Sequence, residues 1–197
     1  MRKSIRGKLF LGCAWIAVGA LAWAQGSGKP KPAVSSLEVA LTYGAMYSNV
    51  VTGDSFWMQG GSIQVHGHFW RGLGAVADVS ALHTAAINGT TVGLDLVTAT
   101  FGPRYSWPLR HSSWVVFGQA LAGEANGLNS SFPGVPQANS TADSLAVRVG
   151  GGVNLTLKHR FALRALDANW LRTQLPNSTT GVQNNLQIGA GIVLRTR

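Results

Sequence analysis

Beyond residue 24 this 197-residue chain has no cysteine, no stretch long and apolar enough to cross a membrane as a helix, and no basic cluster interleaved with aromatic residues. The only cysteine is Cys13, so disulfides and thiolate metal sites are excluded from everything that follows it. A helical anchor is excluded as well, since a spanning helix needs roughly 20 consecutive apolar residues. Nucleic acid binding loses its usual footprint, a basic face or stripe. Charge is also scarcer than the total of +9 suggests. Four of the 16 Lys and Arg residues and none of the seven Asp and Glu residues fall in the first 24 positions, which leaves the remainder at +5.

Those first positions have an organisation of their own. Arg2, Lys3, Arg6 and Lys8 form a positive head, Leu9 to Leu21 is uncharged and apolar, and Ala22-Trp23-Ala24 puts small residues at the two positions a signal peptidase reads. The pattern predicts a signal peptide over 1–24 and a mature chain starting at Gln25. Residues 25–35 include Lys29-Pro30-Lys31-Pro32, which cannot pair in a sheet interior and reads as an extended periplasmic tail.

From residue 36 onward the hydrophobic period is two. Between Leu145 and Leu157, the residues Leu145, Val147, Val149, Val153, Leu155 and Leu157 share one parity, and Ala146, Arg148, Gly150, Gly152, Asn154 and Thr156 share the other. Side chains of a strand alternate between faces, so this segment is apolar on one side and polar or bare on the other. It also exceeds the roughly 9–11 residues with which a tilted strand crosses a bilayer. Similar segments are expected near 36–49, 57–70, 73–87, 91–105, 113–126, 143–157, 161–174 and 183–196, giving an all-β chain of eight antiparallel strands. The third strand sets Leu73, Ala75, Ala77 and Val79 against Asp78 and Ser80, and the fourth sets Val92, Leu94 and Leu96 against Gly93 and Asp95. In the fifth and seventh strands Gln119 and Glu124, and Arg164 and Asp167, fall on opposite parities, which predicts a bulge in each.

A soluble two-layer sandwich carries the same alternation. Its strands are usually only about 5–6 residues long, however, and its tryptophans would sit mid-strand. Here Trp57, Trp70, Tyr105, Trp107, Trp114 and Trp170 fall near strand ends, as the two interfacial girdles of a membrane barrel require. Tight connections at Arg71-Gly72 and 158–160 alternate with longer ones at 50–56 and 127–142, the asymmetry of periplasmic turns and extracellular loops.

With its exported start, its eight alternating strands and the closing segments ALRALDANWLRTQLPN and NNLQIGAGIVLRTR, the chain resembles the small outer-membrane β-barrel family, the OmpA-type or porin-family-like domain. The resemblance implies an up-and-down transmembrane barrel over 36–197, integral to a bacterial outer membrane, with outer-membrane lipids and the outer-membrane assembly machinery as partners. Members usually end on an aromatic residue that this machinery recognises, whereas this chain ends Arg195-Thr196-Arg197.

Eight strands enclose a space that side chains fill or that holds one small ligand. The polar parity carries Glu38, Asp78, Asp95, Arg148, Asn154 and Gln187, with His66 and His68 nearby, and predicts an internal polar network in which Arg148 pairs with one or more of the acids. His66 and His68 lie about 7 Å apart on one face, and without a fixed third ligand they predict no metal site. Catalysis needs a nucleophile beside an oriented base. His111-Ser112 falls in a turn with no carboxylate close in sequence, and His83 and Thr84 have no visible partner, so neither an enzyme nor a cofactor is expected. Arg71, Arg110, Lys158 and Arg160 should line one rim. The 127–142 segment, GLNSSFPGVPQANSTA, reads as a solvated loop with one exposed aromatic, Phe132, through which a surface ligand could be held. The expected role is structural or surface-interacting around a plugged interior. The alternatives are a narrow pore for small solutes and an enzyme that modifies lipid A.

Overall fold

In a computed structural model, the described residues are 36–50, 55–87, 90–133, 137–158, 160–177 and 180–196. The signal peptide and tail expected over 1–35 lie outside them, as does the terminal Arg197. Eight strands, β1 (Ser36–Ser48), β2 (Phe56–Trp70), β3 (Leu73–Thr84), β4 (Leu94–Pro108), β5 (Trp114–Leu128), β6 (Ala142–Lys158), β7 (Phe161–Thr173) and β8 (Gln183–Arg195), pair antiparallel in sequence order. The sheet closes on itself where β1 meets β8, from Glu38 opposite Arg195 to Tyr47 opposite Leu186. The expected fold is therefore the observed one, with the third and fourth strands adjusted: β3 stops at Thr84 and β4 runs from Leu94 to Pro108.

The connections 71–72, 109–113 and 159–160 lie at one end, called here the turn end, together with Ser36 and Arg195. The connections 49–55, 85–93, 129–141 and 174–182 lie at the opposite loop end. The tightest connection has a simple cause. Arg71 and Gly72 adopt φ of 43° and 90°, and two consecutive positive-φ residues make the turn whose twist matches a two-residue hairpin.

The surface is inverted relative to a soluble protein. Leu41, Ile63, Val79, Phe101, Leu145 and Ile192 are each more than half exposed on the outer face, while Arg104, Arg148, Arg164, Asp78 and Gln64 are no more than 1 % exposed inside. Water cannot be the solvent for such an exterior, because contiguous apolar patches on soluble monomers rarely exceed a few hundred Å². Closure also satisfies every strand edge, as hydrocarbon demands.

The bulge expected in the seventh strand is present. Arg164 pairs with Asn154 and Gly191, but Leu166 pairs with Val153 and Asp167 with Gly189, so the register slips around Ala165. The extra residue turns both Arg164 and Asp167 inward. The bulge expected in the fifth strand is absent. The register of β5 is continuous against both neighbours; Gln119 points inward, and Glu124 simply stands on the outer face opposite Ala99 and Leu145.

The faces of the fourth strand are the reverse of the expectation. Leu94 and Leu96 are buried inside, while Asp95 lies on the outer parity and Val92 precedes the strand altogether. The apolar residues at that end are not lipid-facing; they belong to an apolar core within the lumen. Met46, Met58, Leu82, Leu94, Leu96 and Leu171 meet there with Phe56, Val50, Ile87 and Leu175.

Candidate functional site

Three arginines enter the lumen from three strands. From β6, Arg148 donates to Asp78 Oδ1 at 2.5 Å, to Ser80 Oγ at 2.9 Å and to Thr98 Oγ1 at 3.0 Å. Arg104, from β4, donates through Nε to Gln119 Oε1 at 3.0 Å and through Nη2 to Gln64 Oε1 at 2.5 Å. Arg164, from β7, reaches Asp167 Oδ2 at 2.7 Å, Asn154 Oδ1 at 3.2 Å and the same Gln64 oxygen at 2.5 Å. Gln64 thus accepts from two guanidinium groups at once. Both groups also lie against the Phe117 ring, its centroid 4.2 Å from one and 4.7 Å from the other, a cation–π arrangement that partly replaces their lost hydration. Gln119 and Asn169 complete the belt: Gln119 Nε2 donates to Asn169 Oδ1 at 3.0 Å, and Asn169 Nδ2 donates to Asp167.

Of the interior residues expected from the sequence, Glu38, Asp78, Arg148, Asn154 and Gln187 are all buried in the lumen. Asp95 is not. It sits at the loop end on the outer face, where it accepts from Asn129 and lies 2.5 Å from His83 Nδ1. His83, expected to be without a partner, therefore has one. Arg104 and Gln64 were missed as members of the belt, and Arg104 was legible from parity. With Phe101 and Tyr105 outward, Thr98, Thr100 and Arg104 must point inward. Ser112, in the expected turn, accepts from Trp114 N at 3.2 Å.

At the turn end a second cluster forms. Glu38 lies opposite His66 across β1 and β2 and opposite Arg195 across β1 and β8. Its Oε1 accepts from Arg195 Nε at 2.6 Å and its Oε2 lies 3.3 Å from His66 Nδ1, while Arg195 Nη1 donates to Thr156 Oγ1 at 2.9 Å. The His66 and His68 rings meet edge-on, with centroids 4.2 Å apart. The two imidazoles do have a third potential ligand after all, because strand pairing supplies Glu38 from a position far away in sequence. Arg71, Arg110, Lys158 and Arg160 are exposed around this end, and Arg71 stacks on Trp70 at 5.3 Å.

At the loop end, Phe132 contradicts its expected exposure: only 3 % of it is accessible. A two-way backbone bridge holds it, Phe132 N to Asn139 O at 2.8 Å and Asn139 N to Phe132 O at 2.9 Å. Gly127 makes the room. A Cβ there would lie 2.4 Å from the end of the Phe132 ring. The loop thus folds back and inserts its aromatic residue into the apolar core of the lumen. Beside the arginine belt, a cavity of about 10 Å³ lined by Thr42, Ser62, Arg148, Asp167 and Gln187 has room for about one water molecule.

The aromatics expected near strand ends are all at least one-third exposed on the outer face. Tyr47, opposite both Trp57 and Leu186, and Trp170, also opposite Leu186, share a band at the loop end; Trp70, Tyr105, Trp107 and Trp114 lie toward the turn end.

No protein-family model matches the chain, and no curated protein resembles it in sequence. Solved structures do resemble it. Neisserial surface protein A superposes with a TM-score of 0.62 at 13 % identity, over 81 % of this chain and 98 % of that one. The fold is that of the small eight-stranded outer-membrane barrels. Ail, the attachment invasion locus protein of Yersinia pestis, solved with the heparin analogue sucrose octasulfate, matches at a TM-score of 0.51 and 14 % identity over 82 % of this chain and 98 % of its own. The outer membrane protein OprG from Pseudomonas aeruginosa gives 0.51 at 7 % identity over 83 % and 97 %. At such identities the likeness shows the barrel architecture alone.

Proposed function

We propose that this protein is a sealed outer-membrane barrel that acts through its loop-end surface, with the Trp and Tyr bands seated at the two membrane interfaces. The observation that carries this reading is the double closure of the lumen. An apolar stopper containing Phe132 lies above a belt of three hydrogen-bonded arginines, and a cavity beside that belt fits about one water. Eight strands leave no wide channel even without such filling.

The loops favour a neutral polar ligand. Residues 49–55, 85–93, 129–141 and 174–182 contain no Lys or Arg, and Asp54 is their one charged residue, amid many Ser, Thr, Asn and Gly. The Ail structure holds a polysulfated sugar, but a polyanion is recognised chiefly by Arg and Lys, which these loops lack. An uncharged glycan or a neutral protein surface matches hydroxyl and amide groups instead.

Planar-bilayer recording on the reconstituted chain tests the seal. The expectation is no steady conductance above the lipid leak, and large, stable channels at neutral pH would establish the pore in its place. A glycan array probed with the protein in nanodiscs tests the surface. Neutral glycans should bind in preference to sulfated ones, and retention of sulfated glycans alone would overturn the ligand class.

A further inference from the structure

We propose that Glu38, His66 and His68 form a binding site for a divalent late first-row transition ion, with Zn²⁺ the fitting class, at the turn-end mouth of the lumen. One candidate ligand atom from each residue lies within 4.8 Å of the others. The closest pair carries the most information. His66 Nδ1 and Glu38 Oε2 are 3.3 Å apart, longer than the usual ~2.9 Å of an N–H···O bond. That spacing matches the edge between two ligands of a tetrahedral ion with bonds of about 2.0–2.1 Å.

The surroundings hold two of the ligands in place. Arg195 Nε grips Glu38 Oε1 at 2.6 Å and leaves Oε2 turned toward the imidazole, the kind of outer contact that orients a metal-bound carboxylate. The His66 ring is buried in the space that Gly74 leaves bare, where a Cβ would lie 2.5 Å from Nε2. That buried Nε2 has no hydrogen-bond partner among the described residues. His68, half-buried and nearer the mouth, can close the remaining distance by a side-chain rotation. Two imidazoles and one carboxylate form a donor set typical of zinc sites that keep a fourth position open to water, and imidazole also suits copper and nickel. The ion would tie β1 to β2 beside the β1–β8 seam, so binding should stabilise the closed barrel by mass action.

The test uses the untagged full chain in detergent micelles, stripped with a chelator and titrated with Co²⁺ alone, then with Zn²⁺ in competition. One equivalent should bind with the intense visible absorption of a four-coordinate site, and Zn²⁺ should displace it. His68→Gln and Glu38→Gln should each weaken binding at least tenfold, with folding checked by heat-modifiable gel mobility. Because Glu38 also anchors Arg195, His68→Gln is the decisive variant. The combined variant His83→Ala, His111→Ala, His159→Ala should bind as the unmodified chain does. The absence of a saturable single site, or a loss in the triple variant equal to that in His68→Gln, would overturn the assignment.

Discussion

A single guanidinium in hydrocarbon-shielded space must be compensated or neutralised, and the three interior arginines achieve this in two ways. Arg148 and Arg164 have carboxylates, Asp78 and Asp167. Arg104 has no carboxylate within ion-pair distance among the described residues; it relies on two amide oxygens and the face of Phe117. Removing one partner of a buried pair costs far more than the pair contributes, because the other charge is stranded. Replacing Arg148 by Met should therefore destabilise the barrel by about 3–5 kcal/mol. Adding Asp78→Asn should recover part of that loss, and urea unfolding in lipid vesicles over the double-mutant cycle measures the coupling. A fully additive cycle would mean that the contact between Arg148 and Asp78 contributes nothing to the fold. Arg148 and Asp78 were both legible as interior residues from strand parity alone, since each stands among apolar residues of the opposite parity. Their pairing was not, because their strands are not neighbours in the sheet and meet only across the lumen.

Two departures from simple alternation shape the lumen. In β7 the bulge at Ala165 lets Arg164 and Asp167, three residues apart, share the interior face and pair there. In the 129–141 loop, the backbone bridge between Phe132 and Asn139 and the bare Gly127 seat an aromatic residue in the barrel mouth. Truncating a buried Phe costs about 3–5 kcal/mol when the site cannot collapse. Here much of that cost should appear locally, as release of the loop. Phe132→Ala is expected to expose 129–141 to rapid proteolytic cutting while the strands keep their heat-modifiable mobility. Gly127→Ala should do the same to a lesser degree by crowding the ring. Unchanged cutting rates in both variants would show that the loop is held by other contacts. By sequence the loop looks solvated because Ser, Asn, Gly and Pro dominate it; one aromatic residue in such a segment gives no period from which a face can be inferred.

At the scale of the whole molecule, the barrel is an inside-out protein. Its exterior is apolar and its interior carries charge below and hydrocarbon side chains above. Ile63, midway between Trp57 and Trp70 in β2 and more than half exposed, should therefore meet lipid. An arginine there should cost about 2–4 kcal/mol at the bilayer midplane and much less near an interface. Unfolding in vesicles compares Ile63→Arg with the unmodified chain, and a neutral outcome would contradict the lipid-facing assignment of that surface. The apolar upper half of the lumen reverses the faces expected of the fourth strand. Leu94 and Leu96 look like lipid-facing residues because a barrel lumen is expected to be polar, and this one is apolar where the loops cover it.

What the sequence determined by itself was the set of strands, their order, their approximate ends and, for most of them, which face is apolar. These follow from a period of two maintained over segments longer than a soluble strand needs, and from turn chemistry such as Arg71-Gly72. Only the tertiary structure decided which interior residues meet. Closing the sheet brings β1 beside β8, places Arg148 against Asp78 across the lumen, and gathers Glu38, His66 and His68 at one mouth. Parity along one strand states which way a side chain points. The stagger between strands, fixed by many backbone hydrogen bonds at once, sets the height at which it arrives and so the neighbours it finds.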